Sequence, residues 1–167
     1  MSTVVQTTAT HPTATFRLVR IASRIGPTTS LAPLSSIRII FSIVNQSPYK
    51  TLTVDMCPLW SVWKPPTFST ADVPSDMGNM RLDVETELVE AWDIMWNQGV
   101  REVYDGVLLY WPMLPPKPKD QQPYYRFQVA KPATEDVYVG AWSQDVERSL
   151  GGWGIGNESA AGLALRV

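Results

Sequence analysis

The chain has 167 residues, 44 % apolar and 18 % charged, with a formal net charge of −2, the size of one ordinary domain and poorer in charge than most soluble ones. Its single cysteine, Cys57, excludes an internal disulfide, and one thiol with one histidine cannot make a structural zinc site. No stretch approaches the ~18 apolar residues that a membrane span needs, and the N-terminus lacks a secretory pattern. The expectation is a soluble protein, intracellular or carried in a virion, with no membrane partner.

Charge is divided along the chain. Residues 1–54 contain no Asp or Glu but carry Arg17, Arg20, Arg24, Arg38 and Lys50, so this third is +5 and the remainder is −7. Two surfaces of opposite sign are expected, which points to partners more than to chemistry.

Residues 1–15 are Thr-rich, without periodicity, and read as an extended N-terminal arm ahead of one β-rich globular unit, 16–167. Three β-branched segments follow, at 16–25, 37–44 and 50–56. In the third, Leu52, Val54 and Met56 alternate with Thr51, Thr53 and Asp55, the pattern of a half-buried strand. The second is apolar on both faces and is expected to lie centrally. Residues 58–80, with four prolines, Trp60 and Trp63, read as a long structured loop.

A helix is predicted over 83–97, where Val84, Leu88, Ala91, Trp92 and Met95 share a face and Gly99 supplies a stop. Strands are expected at 106–111, 124–130 and 136–142, a turn of helix at 143–150, and a last strand near 161–167. This order predicts an α+β fold, mainly antiparallel β-sheet or sandwich with one principal α-helix.

The chemical constellations are thin. Asp83, Glu87, Glu90 and Asp93 line one helix face and read as a solvated acidic surface able to meet a basic one. His11 and Cys57 are the only nucleophile–base pair of their kind, and His11 lies in the arm. Gly151–Gly156 has neither the Lys-Ser/Thr of a phosphate loop nor dinucleotide spacing. Pro112–Lys119 reads as a stiff polyproline connection. An enzyme would rest on groups such as Asp105 with Tyr104 or Tyr110. No catalytic residue, metal ligand or cofactor is expected.

Seven tryptophans either fill the core or anchor an interface. Trp60, Trp63 and Trp96 lie off the buried patterns and are interface candidates, together with Arg17, Arg20 and Arg24 on the basic third and Glu87 and Glu90 on the helix. Five positive charges without an RNP-like motif form a weak nucleic-acid footprint. The leading expectation is a non-enzymatic protein that self-assembles or decorates a larger assembly, such as a viral capsid or capsid-associated protein. The alternative is a binding module whose small-ligand pocket is walled by Trp111, Tyr125 and Trp142.

Overall fold

The structure, a computed structural model, describes residues 7, 9–57, 62–80, 84–116, 121–131 and 135–150. They form mostly antiparallel β-sheet with one short helix. The strands are β1 (Ala14–Ser23), β2 (Leu34–Ile43), β3 (Thr51–Cys57), β4 (Val62–Trp63), β5 (Thr67–Ser69), β6 (Tyr104–Tyr110), β7 (Tyr124–Val129), β8 (Glu135–Gly140) and β9 (Val146–Leu150), and the helix is α1 (Leu88–Asn97). All nine strands join one sheet in the order β4-β3-β2-β1-β6-β7-β8-β9, with β5 also on the outer edge of β3. It is a single sheet, not a sandwich. The predicted strand at 161–167 and the glycine segment 151–156 lie outside the described residues.

Residues that face one another across this register divide the sheet into two faces. Val107, Tyr125, Phe127, Val137 and Val139 form the near face, and α1 packs Ala91 and Met95 onto it. Phe16, Ile39, Phe41, Leu52 and Val54 continue the near-face core across β1 to β3, with Val84 and Leu109 touching both clusters. The far face carries Leu18, Leu108, Tyr110, Tyr124 and Tyr138, with Val73 and Met77 packed on them. β7 and β8 are therefore buried on both sides, whereas β3 keeps the half-buried alternation.

The connection from β5 to α1 changes faces. β1 and β6 pair from Ala22↔Gly106 to Leu18↔Tyr110. Beyond that point residues 76–80 lie between them: Met80 N–H donates to the Phe16 carbonyl at 2.9 Å, Gly78 N–H to the Trp111 carbonyl at 2.7 Å, and Met113 N–H to the Asp76 carbonyl at 2.7 Å. Met77 ends in the far-face cluster and Met80 in the near-face cluster. A bulge in β1 between Phe16 and Leu18 falls at this junction, and Arg17 holds it, donating from Nε to Ser42 Oγ (2.8 Å) and from Nη1 to the Met77 carbonyl (3.2 Å).

Three boundaries differ from the sequence expectation. The helix begins at Leu88, not 83, because Thr86 N–H donates to the Ala141 carbonyl and its own carbonyl accepts the Tyr125 hydroxyl at 2.8 Å, which ties this residue to the sheet end. Gly99, at φ +82°, supplies the predicted stop. Residues 146–150, expected in a turn of helix, form β9: Gln144 takes φ 60°, Gly140 N–H donates to the Asp145 carbonyl, and the chain folds back to pair Val146 with Val139. β1 starts at Ala14, two residues inside the predicted arm, and the 58–80 loop contributes β4 and β5.

Gly106 marks the closest approach of β6 to β1: a Cβ there would lie 2.8 Å from the Ile21 carbonyl oxygen. A side chain forces the two central strands apart, so Gly106→Ala is expected to destabilise the fold by about 1–3 kcal/mol. Chemical denaturation measures this, and an unchanged midpoint contradicts the tight pairing.

Candidate interaction surfaces

The basic candidates separate by environment. Arg17 is half-buried and clamps the crossover. Arg20 is exposed on β1, cross-strand from Arg38 and Leu108, and thus projects from the far face. Arg24 is exposed just beyond the end of β1, beside a shallow depression of about 540 Å³ lined with Ile25, Ala32, Pro33 and Ser35. Neither Arg20 nor Arg24 forms an ion pair among the described residues. Arg38 does, with Asp55 at 2.7 Å. A basic patch on the far face thus centres on Arg20 and extends toward Arg24.

The acidic candidates lie on the opposite side. Glu87 is the residue preceding α1, exposed and making no side-chain capping bond. Glu90 is exposed in the first turn and accepts a hydrogen bond from Gln144 Nε2 at 2.9 Å. Asp93 is exposed one turn on, and Asp83 lies outside the described residues. These carboxylates sit near the positive end of the helix dipole, which favours their charged form.

The tryptophans are mostly engaged within the fold. Trp60 lies outside the described residues. Trp63 is half-buried on β4 against the near-face core. Trp96 stacks on Trp92 with centroids 5.1 Å apart and planes 18° from parallel, and the Arg101 guanidinium lies 3.7 Å above its ring. Arg101 also donates to the Trp96 and Val100 carbonyls, fixing the stack at the helix end. Of the expected pocket walls, Trp111 and Trp142 meet edge to face at 5.3 Å, and Tyr125 bonds Thr86 beneath the helix.

The groups considered for catalysis do not converge. Tyr104 points into the near-face core, Tyr110 into the far-face core, and Asp105 between them is exposed. His11 contacts Phe68, which pairs with Leu52, while Cys57 ends the same strand five residues on, roughly 17 Å away. Among the described residues, no three His, Cys, Asp or Glu side chains gather to hold a metal, and no helix is long and apolar enough to cross a membrane.

The densest polar chemistry is buried on the far face, where sequence reasoning did not place it. Arg126 on β7 donates to Asp136 on β8, with Nε and Nη2 each 2.6 Å from Oδ2, and both side chains are nearly inaccessible. Asp136 Oδ1 accepts the Val129 N–H at 2.9 Å. Tyr138 lies across the strands from Arg126, and Tyr124 meets Tyr138 edge to face at 6.4 Å. Nearby, the buried Gln122 amide accepts N–H groups from Trp142 and Ser143 and donates to Ser143 Oγ, fastening the β8–β9 turn. The detectable signal was a charged residue inside the run YYRFQV, with an acid opening the next strand.

No family model matches the chain, and no curated protein sequence matches it. Among solved structures, the crystal structure of a protein from Clostridium difficile 630 described as a "putative lipoprotein" is similar, with a TM-score of 0.53 and 11 % identity over 88 % of this chain and 90 % of that one. The likeness is one of fold.

Two predictions arise from these buried groups. Asp136→Ala leaves the Arg126 charge without its partner in the interior and is expected to cost about 3–5 kcal/mol in denaturation, far more than loss of an exposed ion pair. A smaller cost, comparable to that of breaking Lys50–Asp72 on the surface, contradicts this account. Burial also pushes Tyr104 and Tyr125 from the ordinary 10.0 up to about 12, with Glu87 and Glu90 adding to the effect at Tyr125. The unfolded chain then ionises first as pH rises, so stability is full below pH 10 and declines toward pH 12. Denaturation midpoints measured across that window are expected to fall, with phenolate absorbance of the folded protein lagging that of the unfolded chain.

Proposed function

We propose that the chain is a non-enzymatic interaction protein that assembles with copies of itself, or decorates a larger assembly such as a virion shell, through its Arg20/Arg24 patch and the Glu87/Glu90 end of α1. The observation that carries this reading is the placement of these exposed, oppositely charged groups on opposite faces of one sheet. A patch on one side that complements a patch on the other makes a head-to-tail contact, which propagates unless rotation closes it into a ring. The Thr-rich N-terminal segment, 1–15, supplies a second contact with the neighbouring copy.

Each exposed ion pair contributes only about 0.2–1 kcal/mol, and salt screens such pairs beyond roughly 8 Å at physiological ionic strength. The proposed assembly is therefore weak per contact and salt-sensitive. The test uses two full-length variants, Arg20→Glu with Arg24→Glu, and Glu87→Lys with Glu90→Lys. Light scattering at low salt is expected to show smaller particles for each variant alone and recovery of the wild-type size on mixing, because each variant then presents the charge the other lacks. Wild-type chain that stays near 18.6 kDa, or variants that assemble as it does, would overturn the reading.

A further inference from the structure

Three buried polar atoms on or beside the far face have no hydrogen-bond partner: Asp76 Oδ1, Arg126 Nη1 and the Tyr138 hydroxyl. They belong to one neighbourhood. Arg126 and Tyr138 are direct cross-strand neighbours, with the guanidinium carbon 5.7 Å from the Tyr138 ring centroid. Asp76 adjoins Met77, which packs in the same cluster as Tyr110 and Tyr138, and its backbone carbonyl holds Met113, three residues after Tyr110. The charges of Arg126 and Asp76 both act on Tyr110: burial pushes this phenol up, the guanidinium draws it back, and the Asp76 carboxylate raises it again. Arg126 is 6 % exposed, so bulk water does not reach its free nitrogen.

The chemistry of the three atoms selects what they bind. Arg126 Nη1 only donates, Asp76 Oδ1 only accepts, and the tyrosine hydroxyl does either. With Asp136 included, the cluster carries two carboxylates and one guanidinium, so it disfavours an anion. A single free carboxylate oxygen facing a guanidinium is a poor cation site. What remains is a small neutral molecule that both accepts and donates. None of the three atoms reaches another polar atom directly, and one water spans such separations with two bonds of about 2.8 Å each.

We propose that Asp76, Arg126 and Tyr138 form a binding site for one resident water molecule, which accepts from Arg126 Nη1, donates to Asp76 Oδ1 and takes Tyr138 as its third partner. The site joins the crossover segment to β7 and β8. It is independent of the assembly reading.

A high-resolution crystal structure of the full chain tests it, together with one of the Asp76→Asn variant, which keeps an acceptor oxygen and removes the charge. The expected result is a single spherical peak of water density within hydrogen-bond distance of all three side chains, retained in Asp76→Asn. Direct bonds among the three groups with no peak between them would overturn the proposal. A peak too heavy for water, or one lost in Asp76→Asn, would also overturn it by showing that the guest is charged.

Discussion

The architecture turns on the passage of residues 76–80 between β1 and the segment that leaves β6. A nine-stranded sheet with its helix on one face needs the chain to return from the β3 edge to the strand beside β1, and it does so by first packing Val73 and Met77 on the far face and then emerging at Met80 on the near face. Backbone bonds to Phe16, Trp111 and Met113 satisfy the groups that such a passage would otherwise bury unpaired. The β1 bulge admits the segment, and Arg17 closes the junction by bonding strand β2 and the Met77 carbonyl together. Arg17, although part of the basic third, thus serves the fold.

That passage makes the sheet two-sided over β6 to β8. Far-face residues there, Leu108, Tyr110, Tyr124, Arg126 and Tyr138, are as inaccessible as the near-face core. A buried arginine is tolerable because Asp136 neutralises it and the Val129 N–H occupies the second carboxylate oxygen. Three tyrosines in place of three phenylalanines give the same apolar area with a polar rim, and a polar rim suits a layer that includes a guanidinium.

Legibility from sequence follows this division. Where one face is solvated, as in β3, the alternation of Leu52 and Val54 with Thr51 and Thr53 located the strand within a residue of its observed ends. The helix C-terminus was equally plain, since Gly99 is the residue that tolerates φ +82°. Its N-terminus was not, because a long-range bond from Tyr125 to Thr86 overrides a local pattern that continues to Val84. β9 escaped because VERSL has no apolar alternation and owes its extended form to the open edge of β8. The Arg126 cluster escaped because periodicity shows that a segment is buried on two sides, but not which strands bring an arginine to an aspartate ten residues on. The surface candidates lay between these cases: charge sign was readable, and the face was not until the β1–β6 register assigned Arg20 to the side away from α1.

Opposite faces have an energetic consequence that composition alone did not imply. If Arg20 and Glu87 shared a face, they would attract one another within the chain or meet in a symmetric pair, and association would stop at a dimer. Separated by the sheet, neither can satisfy the other internally, so complementarity is available only between molecules. A weak contact of this kind gains strength by repetition, because each added copy, or each site on a preformed lattice, raises the effective concentration for the next. The low charge content and the two-signed surface are consistent with a molecule whose contacts are individually weak and collectively useful. Such a molecule needs no catalytic centre, only a rigid sheet that keeps its two charged patches a fixed distance apart.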